Sequence, residues 1–244
     1  MKGYTLNTEL KLIEVFFLCL IIAIFMLWEH IQPTRKITKP RQLFDIVALI
    51  NISIFSLLCK WLLTPSIADN TATVLAYEVR WPRFLISIII VDFILYWLHR
   101  WMHGPYLWKT HRFHHSVTDL NWIKGIYTSG THIVLYVLPQ LIVGYHLMKL
   151  NALEMLLAFI LSYFIQMWQH ANITVNIGLF KYIFVTPQSH RLHHSIDRSD
   201  SDTNYGAIFS FWDVLFRTFK YPKNENYLLG IKGKVPLVRG LIGF

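Results

Sequence analysis

The amino-acid sequence predicts an all-α integral membrane protein with about four to five transmembrane helices and a cytoplasmic helical cap. Of its 244 residues, 54% are hydrophobic and only 15% are charged, whereas about a quarter of the residues in soluble proteins are charged. Several apolar runs also approach the roughly 20 helical residues that cross the 30 Å core of a bilayer. No internal repeat or flexible linker interrupts the pattern, so we expect a single membrane domain over residues 1–244.

Five apolar runs are the predicted spans, at residues 12–30, 44–63, 81–98, 133–150 and 152–169. The first run lacks a small-residue cleavage site and is therefore predicted to be an anchor rather than a removed signal peptide. Pro65 prevents the second helix from continuing. The last two runs are separated so briefly that we expect a tight helical hairpin.

The distribution of positive charge predicts the orientation in the membrane. The segment between the first two spans contains Arg35, Lys36, Lys39 and Arg41 without an acidic residue, and the positive-inside rule places such a segment in the cytoplasm. Counting spans then brings residues 99–132 and 170–220 to the cytoplasmic face of a bacterial inner membrane or the endoplasmic reticulum. Lys and Arg are scattered at the ends of apolar runs, so the net charge of +9 does not indicate a nucleic-acid partner.

Eight of the twelve histidines fall in three short groups within these two segments. The groups are HRWMH with His99 and His103, HRFHH with His111, His114 and His115, and HRLHH with His190, His193 and His194. Residues three or four apart lie on the same side of a helix, so each group can direct its imidazoles at one point. Imidazole binds zinc, copper, iron and nickel, and eight nitrogens are too many for one ion. The cap is therefore predicted to carry a histidine-rich site for two metal ions.

At these groups the sequence resembles the fatty acid hydroxylase and sterol desaturase superfamily. The segments DFILYWLHRWMH, LWKTHRFHHS and VTPQSHRLHHS, followed by DTNYG and FWDVLFRTF, match its successive signatures in order over roughly residues 88–220. The resemblance implies two iron ions, dioxygen as co-substrate, and electrons from a separate donor protein and reductase. It also implies a lipid-like substrate that arrives from the bilayer and is hydroxylated or desaturated. Zinc is expected to compete for the site in purified samples, because zinc binds nitrogen ligands more tightly than ferrous iron.

Further residues are candidates near the three groups. His170 in QMWQHAN matches a histidine of the family pattern and is predicted to be a ligand, and His132 is a weaker candidate because SGTHIVL departs from that pattern. Metal-bound imidazoles usually donate their second N–H to a partner. For that role we consider Asp92, seven residues before His99, together with Asp202 and Asn204. His30 and His146 have no histidine neighbours and are interpreted as interfacial residues.

Two other functions remain as alternatives. A zinc-dependent membrane hydrolase would require a general base close to the ligands, usually a glutamate, and none of the three groups contains an acid. A metal transporter or sensor would hold its ligands near the bilayer midplane, whereas these histidines are predicted to lie at one face. The substrate is left open among sterols, fatty acyl chains, sphingolipids, ether lipids and carotenoids.

Overall fold

The computed structural model describes residues 2–37, 42–63 and 78–243. Their regular elements are helices, and two isolated bridges pair Phe184 with Phe209 and Ser195 with Leu229. The α-helices are α1 (Lys2–Ile31), α2 (Gln42–Leu63), α3 (Trp81–Met102), α4 (Trp108–His115), α5 (Gly130–Leu141), α6 (Ala152–His170), α7 (Pro187–His193), α8 (Arg198–Ser201), α9 (Phe211–Leu215) and α10 (Leu237–Ile242). Lys39, Arg41 and Pro65, which entered the topology prediction, lie outside the described residues.

The five predicted spans correspond to the five longest helical stretches in the described part of the chain. Three of these are long and apolar enough to cross a membrane: Leu12–Ile31, Trp81–Met102 and Ala152–His170. Helix α2 contributes a shorter apolar stretch, Asp45–Phe55. Helix α5 contains Pro139 and continues as a π-helical turn, Ile142–Leu147. The prediction of a helical chain is thus confirmed for the described residues, with three candidate membrane spans. The count of five spans and the cytoplasmic cap stay predictions.

The predicted hairpin between α5 and α6 is stabilised by a capping box. The Asn151 side chain accepts from the Glu154 backbone N–H at 2.9 Å, and the Glu154 carboxylate accepts from the Asn151 N–H at 2.8 Å. Such a pair satisfies backbone donors that the first helical turn leaves without partners. Glu154 also accepts from Arg83 and from the Arg80 backbone N–H. One buried carboxylate therefore joins the start of α6 to the start of α3.

The histidine groups lie at the opposite ends of these helices. Helix α3 continues past its predicted end at residue 98 and carries His99, and α6 ends at His170. Helix α7 begins with a capping box between Thr186 and Ser189 and carries the third group. The 3₁₀ helix Trp122–Ile126 packs against α6. Gly125 makes that contact possible, because an added Cβ would lie 2.9 Å from the Gln166 carbonyl oxygen and 3.0 Å from His170 Nδ1.

Candidate metal centre

Nine buried histidines assemble into two groups whose nitrogen atoms lie within 4.8 Å of one another in each group. The five-histidine group contains His99, His103, His111, His115 and His193. The four-histidine group contains His114, His170, His190 and His194. The structure therefore brings together all eight histidines of the sequence motifs and the additional candidate His170.

In the five-histidine group the Nε2 atoms point inward. His111 Nε2 lies 3.0 Å from both His99 Nε2 and His115 Nε2, and His115 Nε2 lies 3.1 Å from His193 Nε2. The Nε2 of His103 is buried and has no hydrogen-bond partner in the described residues. Imidazole nitrogens from α3, α4 and α7 thus converge on one small volume.

The four-histidine group has the same arrangement around a second point. His170 Nε2 lies 3.0 Å from His114 Nε2 and 3.1 Å from His190 Nε2. Both ring nitrogens of His194 are buried without a hydrogen-bond partner among the described residues. His114 and His115 belong to different groups, and so do His193 and His194. The second and third sequence motifs therefore each contribute histidines to both groups.

Backbone carbonyls fix the tautomers of four histidines. The Nδ1 atoms of His99, His114, His170 and His193 lie 2.7–3.1 Å from the carbonyl oxygens of Tyr205, Tyr127, Gln166 and Thr203, respectively. A carbonyl oxygen only accepts, so each Nδ1 carries the proton and each neutral imidazole presents a bare lone pair at Nε2.

This tautomer assignment provides a test of whether the residues suit metal ions. His114 and His170 direct bare Nε2 lone pairs at each other across 3.0 Å, an arrangement that is repulsive without a cation. Metal-bound histidines commonly donate their second N–H to a carbonyl or carboxylate, as observed here. The donor set and its orientation therefore fit two metal ions.

Burial keeps the histidines of these groups neutral. Loss of hydration, reinforced by the neighbouring imidazoles, holds the pKa of His111, His114, His115, His190, His193 and His194 well below the ordinary value of 6.5. Burial also lowers the pKa of His103, although its hydrogen bond to Asp202 acts in the opposite direction. Neutral imidazole is the form that binds metal.

His132 lies outside both groups, although the sequence made it a candidate ligand. Its Nδ1 is 3.1 Å from Nδ1 of His111, on the side of that ring that faces away from the group centre. His132 is itself buried and packs on Tyr136, with the ring centroids 4.5 Å apart. His132 therefore contacts a candidate ligand, His111, from outside the group, and its own role as a ligand stays a prediction.

The three predicted polar partners have different surroundings. Asp202 Oδ1 lies 2.9 Å from His103 Nδ1, as expected for a residue that orients a ligand. The Asp92 carboxylate instead accepts from the backbone N–H groups of Ile208 and Phe209 and from Trp212 Nε1. In the described chain it contacts no histidine of the three sequence motifs, and it anchors the loop before α9 to α3.

Asn204 also acts on the loop rather than on a histidine. It has a left-handed backbone conformation with φ of 55°. Its side chain donates to the carbonyls of Ser189 and Lys220 and accepts from the Lys220 N–H. These bonds hold residues 202–206 beside α7, and this is the segment whose carbonyls receive His99 and His193.

Asp213 supports the centre and was not predicted from the sequence. Its carboxylate accepts from the N–H groups of Tyr205 and Gly206 at 2.7 and 2.9 Å, which fixes the Tyr205 carbonyl that receives His99. Burial raises the pKa of Asp213 to about 6, against the opposing effects of Thr218 and the two backbone donors. Its position within FWDVLFRTF was the only available signal.

Two adjoining cavities lie between the long helices, with volumes of about 660 and 700 Å³ including their open mouths. Their walls are mostly apolar, and both include Tyr136, Gln140, Ser162 and Gln166. The larger one reaches His132, and the Tyr136 ring lies 6.3 Å from that of His99. These interhelical cavities therefore approach the histidine groups from the side of the predicted spans.

Comparison with known proteins agrees with this geometry. The family model for the fatty acid hydroxylases matches residues 84–218, more than half of the chain. The chain belongs to the fatty acid hydroxylase family. The resemblance inferred from the histidine motifs is confirmed, as is the prediction of an oxidoreductase.

The relatives of this fatty acid hydroxylase family member include enzymes whose names refer to different lipids. The chain is 29% identical over 232 residues to the ornithine lipid hydroxylase OlsE of Rhizobium tropici, with 88% of this chain and 69% of the relative covered. It is 28% identical over 234 residues to human alkylglycerol monooxygenase, covering 86% of this chain but only 48% of that protein. A very-long-chain aldehyde decarbonylase of Oryza sativa is 26% identical over 141 residues, which cover 57% of this chain and 46% of the relative. No solved structure matches the chain significantly.

Proposed function

We propose that this protein is a membrane-bound di-iron oxygenase that hydroxylates or desaturates a lipid-like substrate. The observation that carries the proposal is the pair of buried histidine groups, in which the four imidazoles held by backbone carbonyls turn unprotonated Nε2 atoms inward. One iron ion would be held by the five-histidine group and one by the four-histidine group. The iron pair would supply reductive activation of dioxygen for attack on an unactivated C–H bond.

The protein residues prepare the site for that chemistry. Backbone carbonyls hold the ligand tautomers before metal binds, which limits the reorganisation needed on binding. The nine imidazoles are almost inaccessible to solvent, so reactive species are protected from water. The interhelical cavities offer an apolar volume that a hydrocarbon chain can fill, and Tyr136 and His132 form its boundary with the histidines.

The substrate is proposed to be a fatty-chain lipid that carries a hydrogen-bonding group. Gln140, Ser162 and Gln166 place polar side chains inside mostly apolar walls, and polar groups in such sites select and orient ligands. The names of two relatives, an ornithine lipid hydroxylase and an alkylglycerol monooxygenase, also refer to lipids with a polar part.

We further propose five spans, with the histidine groups on the cytoplasmic side. In this arrangement the lipid reaches the interhelical cavities from the bilayer, and a separate electron donor and its reductase approach from the cytoplasm. The pattern of Lys and Arg around the first loop supports this orientation.

Untargeted lipid mass spectrometry tests the proposal. The wild-type chain would be expressed in a lipid-rich host beside His114→Ala and His193→Ala variants, with membrane insertion verified for each. Only the wild type is expected to produce a lipid that is one oxygen richer or two hydrogens poorer. Full activity in either variant would refute the metal assignment. Hydrolysed lipids would favour the zinc hydrolase, and metal accumulation without any lipid change would favour a transporter.

A further inference from the structure

The proposed oxygenase function, on which the following inference rests, requires a source of electrons. Hydroxylation follows RH + O₂ + 2e⁻ + 2H⁺ → ROH + H₂O, in which the C–H bond is oxidised and dioxygen is reduced. Desaturation consumes the same two electrons and releases two waters. Because the substrate supplies only two of the four electrons that dioxygen takes up, a reductant must reach the metal pair.

A surface groove, separate from the interhelical cavities, also approaches the histidine groups. It has a volume of about 1250 Å³ including its open mouth, and its floor includes His115 of the five-histidine group. Helix α4, the segment around α8 and residues 230–235 form its walls. We call it the basic groove, after the cations Arg112, Arg198, Lys232 and Lys234 that line it.

The lining of the basic groove carries a net positive charge. It contains four cationic side chains and one carboxylate, Asp197, and Arg198 also pairs with Asp202. Lys232 and Lys234 are exposed, and neither forms an ion pair with any residue that the structure describes. A concave surface of one charge sign attracts and orients partners of the opposite sign. The groove therefore suits an acidic partner.

Trp108 connects the basic groove to the metal ligands. The Arg198 guanidinium lies 4.9 Å from the centroid of the Trp108 ring on the groove side. The same ring lies 5.3 Å, centroid to centroid, from both His103 and His115. Trp108 is partly exposed, so a single aromatic side chain spans the distance from solvent to the ligands.

We propose that the basic groove docks an acidic electron-transfer protein and that its electrons reach the metal pair through Trp108. Electron transfer becomes much slower with each ångström of separation, and His115 makes this groove a short approach from water. The lipid occupies the interhelical cavities at the same time, so reductant and substrate do not compete for space.

Binding measurements test the docking surface independently of turnover. The probe is an acidic [2Fe–2S] ferredoxin, titrated onto the protein held in nanodiscs, and basic cytochrome c is the negative control. The Lys232→Glu/Lys234→Glu double variant is expected to weaken ferredoxin binding by about tenfold or more. The matched control is Lys36→Glu/Lys223→Glu, which makes the same change in net charge at exposed positions outside the groove. It should change the affinity less than about twofold, since solvent screens distant charges.

Carbodiimide cross-linking followed by peptide mass spectrometry locates the contact. Cross-links from ferredoxin carboxylates should concentrate on Lys232 and Lys234. Equal loss of binding in both double variants, binding that is insensitive to salt, or cross-links distributed elsewhere would overturn the proposal. Binding of anionic vesicles or inorganic phosphate in the groove, without ferredoxin binding, would overturn it as well.

Turnover experiments separate this proposal from the proposed function. With a chemical reductant such as dithionite-reduced methyl viologen, the groove variant should retain wild-type product formation, whereas with ferredoxin it should lose most of it. At saturating ferredoxin, Trp108→Leu should accept electrons more slowly than the wild type, with Trp108→Phe intermediate. Absence of product with any reductant would refute the oxygenase while leaving the binding result intact. Equal activity of the groove variant with both reductants would refute the docking site alone.

Discussion

The Asp202 carboxylate accepts a hydrogen bond from His103 Nδ1 at 2.9 Å, and this contact aims His103 Nε2 at the five-histidine group. Arg198 Nε lies 3.3 Å from the other oxygen of the same carboxylate. Asp202 is thus held on two sides, and the position of His103 depends on a loop almost a hundred residues later in the chain.

Asp202→Asn should weaken metal binding without unfolding the protein. The amide retains the shape of the side chain but loses the negative charge that favours donation from His103, and changes to such partners cost about 10- to 100-fold in metal affinity. We expect a loss near the lower end of this range, measured by competition with a chromogenic chelator. Asp200→Asn in the adjoining helix α8, where the carboxylate pairs with Lys220 instead, should bind metal like the wild type. Equal affinity in both variants would contradict the assignment of Asp202.

Substitution of two neighbouring histidines should remove different metal ions. His193 belongs to the five-histidine group and His194 to the four-histidine group, so His193→Ala and His194→Ala should each disrupt one group directly. We expect metal content per chain, measured by elemental mass spectrometry, to fall from about two ions to about one in each variant. Lipid oxidation should be lost in both because the pair is broken. A variant that keeps two ions would show that its histidine is not a required ligand.

The sequence predicted the members of the centre better than their arrangement. Helical spacing and the predicted topology indicated that the three motifs would meet, and they do. The division of His114 and His115 between two groups was not foreseen, although adjacent helical residues point about 100° apart. Asp92 was expected near His99 from helix periodicity alone. Helix periodicity carries no information about residues 208–212, whose N–H groups donate to the Asp92 carboxylate.

Most of the hydrogen bonds that orient the histidines could not be predicted from the sequence, for a similar reason. Four of the nine histidines are oriented by backbone carbonyls, and every residue type carries a carbonyl. Only the tertiary structure determines which carbonyl faces which imidazole. Asp202 was identifiable because a side chain does the same work and because it follows the third motif closely.

Acid should destabilise the metal-free protein below about pH 6.5, the ordinary pKa of histidine. The six histidines of the two groups with strongly lowered pKa values bind protons in the unfolded chain but not in the folded one. Each therefore reduces the free energy of unfolding by up to about 1.4 kcal/mol per pH unit as the pH falls below that value. Asp213 has the opposite sign: its raised pKa of about 6 means that its contribution is lost as the pH rises through about 6.

The histidines should outweigh Asp213, because six groups act against one. Thermal unfolding in detergent, recorded between about pH 5 and pH 8, should give melting temperatures that fall steeply on the acid side. Metal-loaded protein should resist the same change until protons displace the ions. A metal-free melting temperature that is constant over this range would show that the imidazoles are hydrated or protonated in the folded state.

Tyr136→Phe should impair the reaction without affecting the fold. Tyr136 lines both interhelical cavities. Its hydroxyl forms no hydrogen bond with the residues that the structure describes, so removing it leaves no protein partner unsatisfied. If the hydroxyl binds the polar group of the lipid, its loss should lower kcat/KM by about 3- to 10-fold, since one neutral hydrogen bond contributes about 1 kcal/mol. The melting temperature and metal content should stay unchanged.

Tyr145→Phe, which lies outside the lining of both cavities, is the matched control and should keep wild-type kinetics. Because the loss requires a hydrogen-bonding substrate, a purely hydrocarbon lipid should be converted equally by Tyr136→Phe and the wild type, and a reduced rate with that lipid too would place the role of Tyr136 in packing against His132 instead.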